Sequence, residues 1–167
     1  MKTVAHQSAV AAARLGALLL ARSWTLGLAE SCTGGLIGHL LTNVPGASAW
    51  FAGGVTAYAN SAKTKVLSVA PGIIEIHGAV SEETVRAMAA GARGLFASQC
   101  GLAVSGIAGP TGGTPDKPVG TVWLGFDVLG RLVARRIFLE GSREAIKAMT
   151  ALNAVTALAD LVEEEKG

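Results

Sequence analysis

The sequence predicts a single mixed α/β domain over residues 1–167, with a partly antiparallel sheet of about five strands layered by helices on both faces. Five short β-rich runs stand among segments whose apolar residues have helical spacing. The last two runs, Thr121–Val128 and Arg131–Leu139, are separated only by Leu129-Gly130, which is typical of an antiparallel hairpin. Hydrophobic residues make up 50% of the chain and charged residues 16%, as in a compact domain.

The first half of the chain alternates helix and strand. Apolar residues at helical spacing predict a helix over Thr3–Arg22, and a short apolar run predicts a strand over Thr25–Glu30. Leu36–Leu41 continues a helical turn opened by glycines, and a Pro-Gly pair ends it. Trp50–Tyr58 is the next predicted strand, in which Gly53-Gly54 indicates a bulge or a close approach of another backbone.

The second half of the chain has longer elements. Ser81 is a favourable N-cap, followed by two acidic residues, for a helix that extends to about Ala97. Gly141-Ser142 opens the last helix, which carries apolar residues at helical spacing. Because ligands of such sheets bind beyond strand ends, we expect the site in the loops. The remaining predicted elements are a short helix at Ser61–Leu67, a loop at Ala70–Gly78, a buried strand at Leu102–Ile107 and a loop at Ala108–Pro118.

Charge and cysteine content narrow the function classes. The formal net charge is +2 and the basic residues are scattered, so the sequence indicates no nucleic-acid partner. The apolar stretch Ala9–Ala21 is interrupted by Arg14 and is shorter than the ~20 residues that cross a bilayer, so we expect no membrane span and no signal peptide. Cys32 and Cys100 are too few for a disulfide framework and favour a reduced, cytoplasmic setting.

The three histidines do not form a metal site by sequence. His6, His39 and His77 lie in different segments, and none is spaced with cysteine or acidic residues as metal ligands are. We therefore expect no bound metal.

The turn Ala29–Gly35 is the most informative stretch. Ser31 and Cys32 place a hydroxyl and a thiol side by side where a predicted strand ends, and Gly34 and Gly35 free the following N–H groups for close approach to a ligand. A nucleophile beside an anion-stabilising helix start has this pattern, and a thiol placed there can have a lowered pKa. An ordinary N-cap has the same pattern, because Ser and Thr cap helices for local reasons.

A lysine is the best available base for Ser31. A serine hydroxyl attacks poorly unless a base removes its proton, and burial can lower the pKa of Lys63 enough to leave the amine neutral. The alternative is a surface lysine, as Lys65 would be. Tyr58, the only tyrosine in the chain, could relay a proton, orient a substrate or pack against a neighbouring helix.

The loop Ala108–Pro118 is dense in turn residues but matches neither a P-loop nor a Rossmann turn. Its consecutive N–H groups could hold a phosphate, with Arg143 or Lys117 supplying positive charge. The alternative is a long surface loop, which is uncommon at this length in compact domains.

Several motifs, taken in order, resemble the CinA C-terminal domain family. The resemblance extends from about Leu15 into the last helix and so covers nearly the whole chain. The motifs are Ala29–Gly35, Pro45–Ser48, Gly53–Val55, Tyr58–Asn60 with Lys63, His77–Glu83, and Ser105–Pro110 continued by Pro118–Trp123.

The resemblance implies an amidohydrolase that converts nicotinamide mononucleotide to nicotinate mononucleotide and ammonia in pyridine nucleotide recycling, with no metal or organic cofactor. It implies a stand-alone form without the nucleotide-related N-terminal domain of longer members. By the same resemblance Ser31 is the nucleophile and Lys63 its base, with Tyr58 near the pair. Ser105 helps to hold the substrate or the Ser/Lys geometry, and Arg143 contacts the substrate phosphate.

Carboxamide hydrolysis also needs donors for a tetrahedral oxyanion, and the N–H groups of Cys32 to Gly35 are expected to supply them. Ala59 and Ser61 depart from the family pattern beside the lysine and could alter how Lys63 is held. Thr111 departs from it in the loop and could alter how a phosphate enters. The predicted substrate-binding residues are Cys32, Thr33, Gly34, Gly35, Ser105, Gly106, Gly112, Gly113 and Arg143.

A second hypothesis is a nucleotide-binding or regulatory module of the competence/damage-inducible type, in which the same loops hold a ligand without turnover. The presence of both Ser31 and Lys63 favours the enzyme. In either case we expect a small-molecule nucleotide as the ligand. The apolar composition favours a homo-oligomer, with a homodimer as the plausible form.

Overall fold

Five strands form one open sheet in a computed structural model that describes residues 3–165. The spatial order of the strands is second, first, third, fourth, fifth. The first strand is parallel to the second and third, whereas the last two pairings are antiparallel. The prediction of a mixed sheet is confirmed. The strands are β1 (Leu26–Glu30), β2 (Phe51–Thr56), β3 (Cys100–Gly106), β4 (Thr121–Val128) and β5 (Arg131–Phe138).

Helices cover both faces of this sheet, as predicted. One buried apolar cluster joins the sheet to the first, second and last helices, and a second cluster joins it to the third and fifth. The helices are α1 (Val4–Ala21), α2 (Leu36–Thr42), α3 (Asn60–Leu67), α4 (Pro71–His77), α5 (Glu82–Leu95) and α6 (Arg143–Glu164), with a 3₁₀ turn at Ala47–Ala49.

Side-chain caps start three of the helices. The hydroxyls of Thr3, Ser81 and Ser142 each accept a backbone N–H from the first turn of α1, α5 and α6. The predicted caps at Ser81 and Ser142 are therefore confirmed. The cap at Ser142 places Arg143 at the first position of α6.

The loop predicted at Ala70–Gly78 is wrong, because α4 occupies Pro71–His77. Pro71 stands at the start of this helix, where a missing N–H costs nothing and a fixed φ favours the helical turn. Gly78, with φ at 83°, ends it. Proline and glycine thus mark the two ends of a short helix here.

The predicted backbone turns at glycine are confirmed. Leu129 and Gly130 have φ values of 54° and 92° and close the β4–β5 hairpin in two residues. The β1–β2 register shifts between the pairs Leu26–Phe51 and Gly27–Gly53, which is a bulge. Gly53 also meets a close neighbour, since a Cβ there would lie 2.5 Å from the Phe96 ring.

Helix α5 lies in direct backbone contact with the sheet. Gly27, Gly101 and Gly125 stand on the neighbouring strands β1, β3 and β4, and we call them the glycine row. A Cβ at these positions would lie 2.6, 2.1 and 2.3 Å, respectively, from a carbonyl oxygen of α5. The absence of side chains in the glycine row therefore sets how closely α5 approaches the sheet.

Two helices, α1 and α6, are long and apolar enough to cross a membrane by length and composition alone. They pack beside each other, and Arg14 of α1 pairs with Asp160 of α6 at 2.6 Å and with Glu163. More than half of the apolar window of α6 is buried within the fold. The expectation that the chain has no membrane span stays a prediction.

Candidate active site

Loops that follow β1, β2 and β3 meet the start of α6 around a cavity of about 220 Å³. The carboxyl ends of β1 and β3 lie side by side, since Glu30 pairs with Val104. Seven predicted site residues line the cavity, namely Ser31, Cys32, Tyr58, Lys63, Ser105, Gly106 and Arg143. Five others do not line it, namely Thr33, Gly34, Gly35, Gly112 and Gly113.

The nucleophile and base proposed from the sequence are in contact. Lys63 Nζ lies 3.1 Å from Ser31 Oγ, 3.0 Å from the carbonyl oxygen of Ala57 and 3.2 Å from that of Tyr58. Both side chains are buried, with Lys63 1% and Ser31 8% exposed. Within residues 3–165, no carboxylate forms a salt bridge with Lys63.

Burial controls the protonation of the Lys63 amine and of the Cys32 thiol. It lowers the pKa of Lys63 below the ordinary lysine value, because the ammonium loses its water, while a charge on Cys32 would act in the opposite direction. Burial also raises the pKa of the Cys32 thiol to about 11. The lowered thiol pKa considered from the sequence is therefore wrong. Cys32 is a neutral wall of the cavity at neutral pH, and Lys63 has no thiolate partner.

The start of α2 is occupied by the buried carboxylate of Glu30, which sequence reasoning missed. Its Oε2 accepts the Thr33 hydroxyl at 2.6 Å and the N–H groups of Gly35 and Ile37 at 3.1 and 3.0 Å. Its Oε1 accepts the N–H of Gly38 at 2.8 Å. The available signal was a charged residue at the end of an apolar strand, because a buried carboxylate requires donors.

The turn has two remaining backbone donors. The N–H of Gly34 bonds to the carbonyl oxygen of Ser31 at 3.1 Å, and that of Gly35 is taken by Glu30. Among residues 3–165, no backbone carbonyl oxygen accepts the N–H of Cys32 or of Thr33. Of these two residues only Cys32 lines the cavity, so the set of oxyanion donors expected from the sequence is narrowed to the Cys32 N–H.

The mouth of the cavity is formed by Arg143 and Tyr58. The guanidinium donates to the Tyr58 hydroxyl at 2.9 Å and to the carbonyl oxygen of Gly109 at 2.7 Å. The Tyr58 side chain is 59% exposed, so it does not pack into the core, and its contact with Lys63 is through its backbone oxygen. Lys117 donates to the carbonyl oxygen of His77 instead of lining the cavity.

Two predicted residues on β3 pack the wall of the cavity. Ser105 is buried, and its hydroxyl donates to the carbonyl oxygen of Ala79 at 2.7 Å, which holds the segment before α5 against β3. At Gly106, a Cβ would lie 2.7 Å from the Val122 side chain. These contacts keep the end of β3 in place against β4 and the segment before α5.

The family model of the CinA C-terminal domain matches residues 8–162. The chain belongs to this family. The resemblance given by the sequence motifs is therefore confirmed. A CinA-like protein from Gemmatimonas aurantiaca is 48% identical over 157 residues, which are 92% of this chain and 37% of the relative. The chain spans about a third of the length of the curated relatives it matches.

Solved structures of CinA-family proteins share the fold. The competence damage-inducible protein A of Klebsiella pneumoniae is 33% identical, with a TM-score of 0.92 over 95% of this chain and 99% of that one. The competence/damage inducible protein CihA of Agrobacterium tumefaciens is also 33% identical, with a TM-score of 0.90 over 98% and 100% of the two chains. The mixed sheet covered on both faces is therefore the CinA-superfamily fold.

Proposed function

We propose that this CinA-family domain hydrolyses the carboxamide of nicotinamide mononucleotide to give nicotinate mononucleotide and ammonia. The observation that carries the proposal is the buried contact between Lys63 Nζ and Ser31 Oγ. A neutral amine has two N–H bonds and one lone pair. The carbonyl oxygens of Ala57 and Tyr58 accept the two N–H bonds, which leaves the lone pair to accept the Ser31 hydroxyl proton.

In the first half of the reaction, Ser31 Oγ attacks the carboxamide carbon while its proton passes to Lys63 Nζ. The N–H of Cys32 stabilises the oxyanion of the tetrahedral intermediate. The intermediate collapses by breaking the C–N bond. Lys63 returns the proton to the departing nitrogen, which leaves as ammonia, and an ester remains on Ser31.

In the second half, water attacks the carbonyl carbon of the ester and Lys63 accepts a proton from it. Collapse of this intermediate breaks the bond to Ser31 Oγ, which regains its proton from Lys63. The product leaves as the carboxylic acid of nicotinate mononucleotide, which gives its proton to the released ammonia in solution and becomes the carboxylate. Each proton is carried by Lys63, so the cycle returns both residues to their starting state.

The mouth of the cavity supports a phosphorylated substrate. Arg143 stands in the first turn of α6, where backbone N–H groups and a guanidinium can bind one anion together. Ser31 lies deeper, beside Lys63, as the carboxamide end of the substrate requires. Tyr58 holds Arg143 through its hydroxyl, so its proposed role is to orient the phosphate contact. Two buried free cysteines accord with a reduced, cytoplasmic setting, which we include in the proposal.

Ammonia release from nicotinamide mononucleotide by the purified protein tests this function. Ser31→Ala should abolish release without changing the circular dichroism spectrum, whereas Cys32→Ala should keep turnover because the Cys32 thiol is protonated. The reverse pattern would assign the nucleophile to Cys32. If the parent protein gains thermal stability from the nucleotide but releases no ammonia, the site is a nucleotide-binding module and the proposal is wrong.

A further inference from the structure

Glu30 is the last residue of β1 and precedes the proposed nucleophile directly. It pairs with Thr56 on β2 and with Val104 on β3, so its backbone is fixed from both sides. Its side chain is 2% exposed and lies under the turn of residues 31–35. A buried carboxylate at this position is costly unless donors compensate for its lost water.

Four donors converge on this carboxylate, at 2.6 to 3.1 Å. Three of them are backbone N–H groups at the start of α2, and the fourth is the hydroxyl of Thr33. These bonds tie both the middle and the end of the turn to β1. Ser31 is held from the other side, because its N–H bonds to the carbonyl oxygen of Val104 at 3.0 Å.

The four hydrogen bonds to Glu30 also determine which N–H groups of the turn remain available to a ligand in the cavity. The start of α2 is already neutralised by a fixed negative group, so a ligand anion has no access to those N–H groups. The N–H groups of Cys32 and Thr33 have no backbone acceptor among residues 3–165, and of these two residues only Cys32 lines the cavity. Thr33 donates its hydroxyl to Glu30 and follows Cys32 directly, so movement of the carboxylate would displace the part of the turn that carries the Cys32 N–H.

We propose that Glu30 is a positioning residue for the reaction: its carboxylate fixes the Ser31–Gly35 turn so that Ser31 Oγ and the N–H of Cys32 share one reacting geometry. This inference rests on the proposed function for its substrate. Glu30 acts through the turn and does not contact the reacting atoms. Its loss should therefore lower kcat and leave KM for the nucleotide unchanged, because the phosphate contact at Arg143 is separate.

The test is Glu30→Gln, which keeps the size of the side chain but turns one acceptor oxygen into an NH₂ group that faces an N–H donor. The kcat should fall by about tenfold to a hundredfold, because displacement of a reacting group by about 1 Å costs on the order of a hundredfold. An unchanged kcat, or a rise in KM that accounts for the loss in kcat/KM, would overturn the proposal. If Glu30→Gln does not fold, Thr33→Val removes one tether and should lower kcat in the same direction, and an unchanged kcat there overturns it.

Asp127→Asn is the matched control. Asp127 is also a buried carboxylate, and it accepts the N–H of Gly130 at 2.8 Å and pairs with Arg93 at 2.8 Å. It lies at the opposite end of the sheet, beside the β4–β5 hairpin. The control should lower Tm but leave kcat unchanged. A similar loss of kcat in Asp127→Asn would mean that general destabilisation of the fold explains the lower kcat of Glu30→Gln. That result would overturn the proposal.

Labelling by a fluorophosphonate tests the positioning role of Glu30 without the amide substrate. Ser31 Oγ forms a bond to phosphorus, fluoride leaves, and the Ser31 proton goes to Lys63, so the rate reports the geometry of the turn without nicotinamide mononucleotide. Intact-mass measurement should show labelling at Ser31 in the parent and slower labelling in Glu30→Gln. A labelled parent that releases no ammonia would refute the proposed function alone. Equal labelling rates would refute the positioning role, and an unlabelled parent without activity would refute both.

Discussion

At the scale of single residues, Lys63 stands out because the fold buries an amine and supplies no carboxylate to pair with it among residues 3–165. An isolated buried ammonium is unfavourable, so the neutral amine is favoured and the pKa of Lys63 falls. The neutral form is the one that can accept a proton. Burial, which is a cost to stability, thus supplies the neutral amine that the proposed reaction uses.

The first prediction concerns the pH dependence of activity. Because the pKa of Lys63 lies below 10.5, its ordinary value, kcat/KM should rise with pH through that lowered pKa and level off before 10.5. Lys63→Arg should be as inactive as Lys63→Ala, since a guanidinium cannot accept the proton. Initial rates of ammonia release across the pH range give the profile. Substantial activity in Lys63→Arg would reduce Lys63 to an electrostatic contact.

Stability should depend on pH through the same group. Between the lowered pKa in the folded chain and 10.5 in the unfolded chain, the unfolded state binds more protons, so the contribution of Lys63 to stability rises with pH. Lys63→Met lacks this dependence. The free energy of unfolding of the variant relative to the parent should therefore decrease as pH rises, as urea titrations at several pH values would show. A constant difference would contradict the lowered pKa.

The third prediction is that Arg143→Ala raises KM for nicotinamide mononucleotide much more than it lowers kcat. The loss of one charge-assisted contact is worth about 1.5–3 kcal/mol, or on the order of 10- to 150-fold in affinity. The phosphate-free nucleoside is the control, because it lacks the group that Arg143 is proposed to bind. Equal penalties on nucleotide and nucleoside would show that Arg143 instead supports the mouth through Tyr58 and Gly109.

At the scale of elements, the contact between α5 and the glycine row determines stability near the site. Helix α5 begins directly after the segment that Ser105 holds against β3, so a displaced α5 would move this wall of the cavity. A backbone packed against three strands without side chains between them has little room to adjust. The helix and the sheet therefore form one rigid unit behind the site.

The fourth prediction tests this contact. In Gly101→Ala the added Cβ would lie 2.1 Å from a carbonyl oxygen of α5, so the helix must shift, and the free energy of unfolding should fall by about 1–3 kcal/mol. Gly72→Ala is the control, because nothing lies within 4 Å of its Cβ and α4 gains helix propensity worth about 0.5–1 kcal/mol. Urea unfolding measures both. Equal stability of the two variants would refute the close contact.

The elements also show what can be predicted from a sequence. The hairpin at Leu129-Gly130 and the caps at Ser81 and Ser142 depend on local chemistry, and these predictions were correct. Helix α4 was missed because Pro71 and Gly72 are read as loop residues unless it is known that the helix begins at the proline. The role of Glu30 was missed because its donors gather only once α2 folds back over β1.

At the scale of the whole molecule, the candidate site is a product of topology. Ser31 and Lys63 are 32 residues apart and meet because the loops after the parallel strands β1 and β2 open at the same edge of the sheet. Arg143 joins them from a helix that begins 80 residues after Lys63. The sequence allows the prediction that the strand ends converge. Which side chains come into contact there depends on distances that are set by packing in the folded chain.

The fifth prediction concerns assembly, and we propose that the chain forms a homodimer. Apolar side chains stay exposed on α1, where Val10 is 54% exposed beside a groove of about 510 Å³ between α1 and α6. Light scattering after size-exclusion chromatography should give twice the chain mass of 16.9 kDa. A Val10→Gln variant should shift this mass toward the monomer. A monomeric parent at micromolar concentration would contradict the proposal.

The glycine row also indicates which positions should be left unchanged in directed evolution toward other amide substrates. Positions 27, 101 and 125 admit no side chain without displacing α5, so libraries that vary them would mostly sample destabilised protein. The cavity lining also includes Asn60, Val80 and Ala108, which take no part in the proposed chemistry. Randomising those three positions would change the shape offered to a leaving group while the scaffold that supports the nucleophile stays intact.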